Sequence, residues 1–358
     1  MSEAPRPTGM EQDQAWRRFV ALLLGVFAGG AALVGLFILL IDPYNVVTFS
    51  LPIDRRIVSI NQRHMYPQIA RSGRYDSLII GSSTSRLLDP QSLDKPFNAR
   101  FANLAMNATR AFEQVTMLDL FRRAVGAPKV VIIGLDSVWC DPNAARNRTA
   151  YGFPEWMYDE NPWNDYLHLF NAATAEIAVR LIGYKLGLYP ERVRFDGYEI
   201  FTPPESDYDL ARARYGLWGS RGQQALPQLS PPSLPAEELR AAQFPAVAWL
   251  EATLAKLPPS SRTILAYMPL HVSAQAWPGT REAALEAECK ARIAAVGRKH
   301  RATIIDWWIA SALTREDANY WDGLHYRLPI AARIAQEIAD AALNSKPSSN
   351  GSYRLTPP

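Results

Sequence analysis

One stretch constrains this chain before anything else. Residues 19–41 read FVALLLGVFAGGAALVGLFILLI, without a single charged side chain. At 1.5 Å of rise per residue, such a run makes about 34 Å of helix, enough to cross the hydrocarbon core of a bilayer. No polar face interrupts it, which argues against a helix buried in a soluble core. Arg17 and Arg18 immediately precede the run, Asp42 and Pro43 end it, and the next cations, Arg55 and Arg56, come well downstream. That bias puts the N-terminus in the cytoplasm and everything after residue 42 outside it. The competing reading is a cleaved signal peptide using the small residues between Ala28 and Ala32, which would leave ALVGLFILLI exposed on the mature N-terminus. The expectation is a single-pass anchor in the inner (cytoplasmic) membrane. Residues 1–18 are then a short disordered cytoplasmic tail, and residues 42–74 a linker.

The rest of the chain has the composition of a folded protein. Of 358 residues, 48% are hydrophobic and 20% charged, so a sizeable core is within reach. A net charge of +3 is too small to argue for nucleic acid. Two cysteines exclude a disulfide-stapled scaffold, and no spacing among them and the five histidines reads as a zinc site. Nothing reads as a phosphate-binding glycine loop, so neither metal nor cofactor is expected. Cys140 and Cys289 could pair outside the cytoplasm, but bridging needs close Cα atoms that sequence does not supply. The expectation leans to two unpaired thiols.

From residue 75 the pattern turns α/β. Residues 75–81 (YDSLIIG) form an apolar run that stops at a glycine, as a buried parallel strand does. Residues 101–106, 129–135, 263–268 and 302–306 give four more strand candidates. Residues 110–125, 235–257 and 281–300 have helical character between them, and Ile330, Ile334 and Ile338 mark a final amphipathic helix with Pro329 in its first turn. Strands alternating with helices predict a three-layer, doubly wound parallel sheet over residues 75–343. Residues 141–234 break the alternation. They are rich in aromatics (Tyr151, Trp156, Trp163, Tyr189 among them), end in LPQLSPPSLP, and are expected to be an insertion after the third strand. Residues 344–358 (NSKPSSNGSYRLTPP) are expected to be a disordered tail.

In a doubly wound sheet, function collects where strands end. After the first strand comes Gly81-Ser82-Ser83-Thr84-Ser85, after the second Asn103-Leu-Ala-Met-Asn107-Ala108-Thr109, after the third Gly134-Leu135-Asp136. Just before the last helix lies Asp322-Gly-Leu-His325. A serine hydroxyl needs a neighbouring base, and that base needs a partner that fixes its tautomer. Asp322 could hold one ring nitrogen of His325 while the other faces a serine at a neighbouring strand end. Taken alone, Asp-x-x-His is also what a capping aspartate and an exposed histidine look like. His271, after the fourth strand, and Asp306 read as structural.

Joined with the Gly-Ser-Ser turn, this arrangement resembles the SGNH (GDSL-like) hydrolase superfamily, whose sheet is flavodoxin-like. The resemblance implies Ser83 as nucleophile, with Asp322 and His325 completing the triad. Ser82 stands where that family usually has aspartate, as in the membrane-anchored branch resembling alginate O-acetylation proteins and DltD; Gly134-Leu135-Asp136 also resembles that branch. Ser82 and Ser85 are the alternative nucleophiles. Two positions depart from the family pattern. Ala108 stands where the family's oxyanion glycine is, although a backbone N–H serves in either residue. Asp136 stands where the family has asparagine, and a carboxylate accepts hydrogen bonds rather than donating them. Either another donor completes the oxyanion hole, with Asn107 the candidate, or activity is low; the plainer reading of Asp136 is a strand-end residue that caps the following loop.

The resemblance implies an extracytoplasmic, membrane-anchored serine esterase or O-acyltransferase that handles O-acetyl groups on a cell-envelope polysaccharide in the periplasm. A membrane acyl-transfer protein is the implied partner. The contrasting expectation is a non-catalytic binding or scaffold subunit of a polysaccharide assembly complex that keeps the hydrolase fold.

Overall fold

The computed structural model describes residues 9–150, 152–222 and 234–358. In chain order the helices are α1 (Gly9–Ile41), α2 (Gln62–Arg71), α3 (Gln91–Phe97), α4 (Ala111–Val125), α5 (Pro162–Leu169), α6 (Ala172–Lys185), α7 (Leu210–Trp218), α8 (Ala236–Ala241), α9 (Pro245–Leu254), α10 (Arg281–Lys299), α11 (Ala312–Arg315) and α12 (Leu328–Asn344). The strands are β1 (Ser77–Ile80), β2 (Phe101–Asn103), β3 (Val130–Leu135), β4 (Arg262–Tyr267), β5 (Thr303–Asp306) and β6 (Arg354–Thr356). They divide between two compact units. One holds the described residues up to Val58 together with Glu160–Pro190; the other holds Ser59–Asp159 and Glu191–Pro358.

The second unit is built on one sheet of order β2-β1-β3-β4-β5-β6. β1 to β5 pair in parallel, and β6 joins β5 antiparallel. The five parallel strands are short, mostly apolar runs, with Ile or Val in all but β2, and are buried on both faces, as strands covered by crossover helices must be. Ile79, Ile132, Ile264 and Ile305 pack with Leu93 of α3 and with Ile334 and Ile338 of α12 on one face. α4 packs beneath β1 and beside α9, and α10 beneath β5. The chain steps from β1 to β2 on one side and then crosses back over β1 to β3 on the other, so the carboxyl ends of β1 and β3 meet at the point where the strand order reverses. Such a point is where α/β sheets carry their ligands.

The first unit contains α1, α5 and α6. Residues 13–41 of α1 have a mean hydropathy of 2.5 over their most apolar window and are long enough to span a bilayer. α1 begins at Gly9, so residues 9–18 are helical and the expected disordered tail does not reach them. The expected linker is also ordered. Asp42 accepts backbone N–H bonds from Val46 (3.1 Å) and Val47 (2.8 Å), while Arg55 donates to the Asp42 carbonyl (2.6 Å), so residues 42–58 fold back on the end of α1. Residues 59–74 belong to the sheet unit, where α2 is almost wholly buried.

Two further boundaries are corrected. Residues 344–358 are not a disordered tail: Tyr353 and Ser352 are buried, the Tyr353 ring lies 5.3 Å from that of Trp307, and residues 354–356 extend the sheet. Nor is 141–234 a single insertion. Its middle, Glu160–Pro190, packs with α1, and the described residues on either side belong to the sheet unit. Tyr151 and most of the LPQLSPPSLP stretch lie outside the described residues.

Candidate active site

Ser83 opens a single 3₁₀ turn, Ser83–Ser85, directly after β1. Its neighbours are each committed elsewhere. Ser85 is fully buried, and its Oγ fills the space that a Cβ on Gly81 or Gly134 would occupy, 2.4 and 1.9 Å from those hypothetical atoms. Glycine at both positions therefore lets β1, β3 and the turn close together. The Ser82 hydroxyl donates to the Asp136 carboxylate. Asn103, at the end of β2, donates to the carbonyls of Ser85 (2.9 Å) and Leu88 (2.8 Å) and so pins the turn from beneath. Of the three serines, only Ser83 is partly exposed.

The loop before α12 supplies the rest. Asp322 accepts backbone N–H bonds from Leu324 (2.8 Å) and His325 (2.9 Å), and its two carboxylate oxygens lie 3.0 and 2.8 Å from His325 Nδ1. An ionised carboxylate only accepts, so Nδ1 carries the proton, leaving the Nε2 lone pair 2.9 Å from Ser83 Oγ. Burial pulls the Asp322 carboxyl up, but its hydrogen bond and charge pairing with His325 outweigh that and hold it below the ordinary aspartate value. Residues 242 positions apart thus form one relay.

Groups that the sequence did not mark hold this relay in place. Tyr326 donates to the carbonyl of Thr84 (2.5 Å), tying the histidine loop to the serine turn. Phe201 meets the His325 ring edge-on at 5.3 Å and is itself covered by the Arg86 guanidinium at 4.4 Å, so part of the expected insertion supports the site. His271, already read from the sequence as structural, is wholly buried; its backbone N–H donates to the Gly323 carbonyl (3.0 Å) and its ring lies 3.2 Å from Asp317, a structural post for the same loop.

A cleft of about 310 Å³ opens over Ser83, lined by Ser82, Thr84, Ala108, Arg110, Asp136 and Leu324 among others. A larger cavity of about 550 Å³ abuts it at Ser137 but contains neither Ser83 nor His325. Ala108 lines the cleft with φ at 46°, in the left-handed region where glycine is unstrained and alanine costs about 1 kcal/mol. Asn107 is not placed as the substitute donor. Its N–H bonds Gln62 (3.3 Å), its carbonyl accepts from Arg63 (3.1 Å), and it lies outside the cleft lining. The fixed geometry of residues 107–110 comes from the buried Arg63–Glu113 pair (2.9 Å), with Glu113 also accepting from Thr109 Oγ1 (2.9 Å) and the Arg110 N–H (2.7 Å).

Asp136 is buried at the end of β3. One oxygen accepts from Ser82 and the other from the Val138 N–H (3.1 Å), which caps the 3₁₀ turn Ser137–Cys140. Burial raises its carboxyl above the ordinary value, against the pull of those two donors. Capping and cleft-lining therefore coincide in this residue. The same turn ends at Cys140, which is disulfide-bonded to Cys289 of α10 with Cα atoms 5.7 Å apart. The expectation of unpaired thiols is corrected: the packing of α10 against the turn after β3, which no local pattern reveals, brings the two together.

No family model matches the chain, and no curated protein is similar enough to match it.

Proposed function

We propose that this protein is a membrane-anchored, extracytoplasmic serine esterase or acyltransferase of the SGNH type, acting on O-acetyl groups of a cell-envelope glycan. The observation that carries the reading is the unbroken relay Ser83 Oγ–His325 Nε2, His325 Nδ1–Asp322, at 2.9 and 2.8 Å, opening on one cleft. The strand order and the position of the serine turn at the reversal point agree with it. The apolar α1 supports the anchor, and the Cys140–Cys289 disulfide supports an oxidising compartment for the second unit.

In this reading Ser83 Oγ attacks the ester carbonyl carbon while His325 Nε2 takes its proton. Asp322 stabilises the resulting imidazolium and fixes its orientation. Collapse of the tetrahedral intermediate breaks the bond to the sugar oxygen, which leaves with the proton from His325, and an acyl-Ser83 remains. Water as the second acceptor gives an esterase; a sugar hydroxyl gives a transferase.

One observation favours the second reading, a non-catalytic glycan-binding or scaffold subunit: Asp136, a buried carboxylate, lines the cleft where the resemblance implies an asparagine donor. The test separates the two. Full-length protein in detergent is treated with a fluorophosphonate probe and assayed on acetylated glycans. Ser83→Ala and His325→Ala are expected to abolish labelling and to lower turnover by about four orders of magnitude or more, while Ser82→Ala and Ser85→Ala keep labelling. A folded wild type that neither labels nor turns over acyl groups sinks the enzyme reading in favour of the scaffold.

A further inference from the structure

The second unit buries its large apolar residues; those it exposes, such as Ile60, Ile200 and Leu343, are scattered singly. The first unit is different even outside α1. On and around α5 and α6, Trp163 and Leu167 are each 78% exposed, Leu186 69% and Leu188 70%, with Phe170 and Val179 more than half exposed. A soluble surface seldom carries such a contiguous set.

Their placement follows that of α1. A Cβ on Gly35 would lie 3.2 Å from the Phe170 ring, so Phe170 sits against α1 about 9 Å inward from Ile41, at 1.5 Å per residue. Ala172 and Ala175 line an apolar groove of about 520 Å³ with Phe27, Val34 and Ile38 of α1. Val179 repeats the position of Ala172 seven residues on, so the two share one face of α6, and Leu186, the C-cap residue just past the helix, follows at the same interval. That face begins in the groove and continues the apolar surface of α1. The adjoining face is polar, where Glu176 and Arg180 pair at 2.8 Å. Trp163, Tyr166 and Phe49 form a row of neighbouring rings beside it, the residue types that favour the membrane–water boundary.

We propose that α5 and α6 are a second membrane-contacting element: the face running through Leu167, Phe170, Val179 and Leu186 inserts into the bilayer leaflet at the C-terminal end of α1, with lipid acyl chains filling the α1–α6 groove. The occupant is lipid because the groove and the stripe are continuous with a surface that itself requires lipid, and because Phe170 packs beside the apolar run itself, inward of its C-terminal end. The proposal rests on α1 spanning the membrane. The protein is thereby held at two points, one across and one along the leaflet.

Single nitroxide labels at Leu167, Phe170 and Leu186 of the full chain, reconstituted in phosphatidylethanolamine–phosphatidylglycerol vesicles, test this. Leu24 serves as the control for the span and Leu343 as the control for water. The three labels are expected to show oxygen-over-nickel-chelate accessibility ratios severalfold above Leu343 and approaching Leu24. Ratios like that of Leu343, with Leu24 lipid-like, overturn the proposal while leaving the span intact. A water-like Leu24 overturns the span itself. Labels shielded from both oxygen and nickel chelate show a protein occupant, a second copy or a partner helix, and also overturn it.

Discussion

At the residue scale, the departures from the expected triad pattern matter more than the triad. Asp136 receives one donor at each oxygen, and an asparagine can keep both contacts: its carbonyl accepts from the Val138 N–H, and its amide donates to Ser82, whose hydroxyl then turns to Thr84 at 3.2 Å. Asp136→Asn is therefore expected to fold. Because burial raises the Asp136 carboxyl, its ionisation works against the folded state: the stability associated with the proton is complete below the unfolded aspartate value and falls as pH rises through the higher folded one. Asp136→Asn should then be at least as stable as wild type at neutral pH and lose that advantage near pH 4. On the proposed esterase reading, removing a negative charge beside the developing oxyanion should also raise ester turnover, by about threefold or more. Thermal melts at the two pH values and steady-state hydrolysis check both. A drop in turnover with the fold intact would mean that the carboxylate assists the reaction.

At the scale of elements, α10 carries a charge network under the sheet that makes a pH prediction of its own. Burial pushes the Glu286 carboxyl up to about 7, Lys290 at 3.7 Å pulls it down, and Asp306 at the end of β5 pushes it up again. Lys290 is shared: it also bonds Asp306 (3.2 Å) and lies over the rings of Tyr267 and Trp308. A carboxyl raised on folding contributes stability that is full below its unfolded value and lost as pH rises through about 7. Glu286→Gln should leave stability unchanged near pH 4.5 and raise it above pH 7.5 by on the order of 1–3 kcal/mol, read as a higher melting temperature there. A difference that does not vary with pH would refute this. Elements also show what a sequence makes legible. The five parallel strands could be read because each is a compact apolar run ended by a glycine, a polar residue or an aromatic. β6 could not, because three residues, Arg354-Leu355-Thr356, pair with β5 inside a Ser-, Gly- and Pro-rich stretch. α2 hides behind Pro67, whose tolerance depends on tertiary packing. The relay residues were legible as motifs at strand and helix ends, whereas Tyr326, Phe201 and the Arg63–Glu113 pair act only through contacts between distant segments.

At the scale of the whole molecule, the Cys140–Cys289 bridge ties the strand-end turn of the cleft to α10 across a separation of 149 residues. It closes a loop containing β4, so its removal frees a large part of the chain in the unfolded state. Loop-closure entropy for that length corresponds to about 5 kcal/mol, and measured bridges of this kind typically give 2–4. The Cys140→Ser/Cys289→Ser double variant is expected to melt about 5–15 °C below wild type. Cys140 ends the turn capped by Asp136, so on the proposed acyl-transfer reading loosening it should also lower turnover severalfold, with Ser83 still able to label. The bridge reports the compartment as well. In protein taken directly from membranes, with thiols blocked at lysis under denaturing conditions, neither cysteine should accept the blocking reagent, and both should accept a maleimide once a reductant is added, the chain staying denatured because Cys289 is buried in the fold. Free thiols on the folded native protein would remove the disulfide as support for an oxidising compartment and, with it, the strongest argument that the sheet unit faces outward.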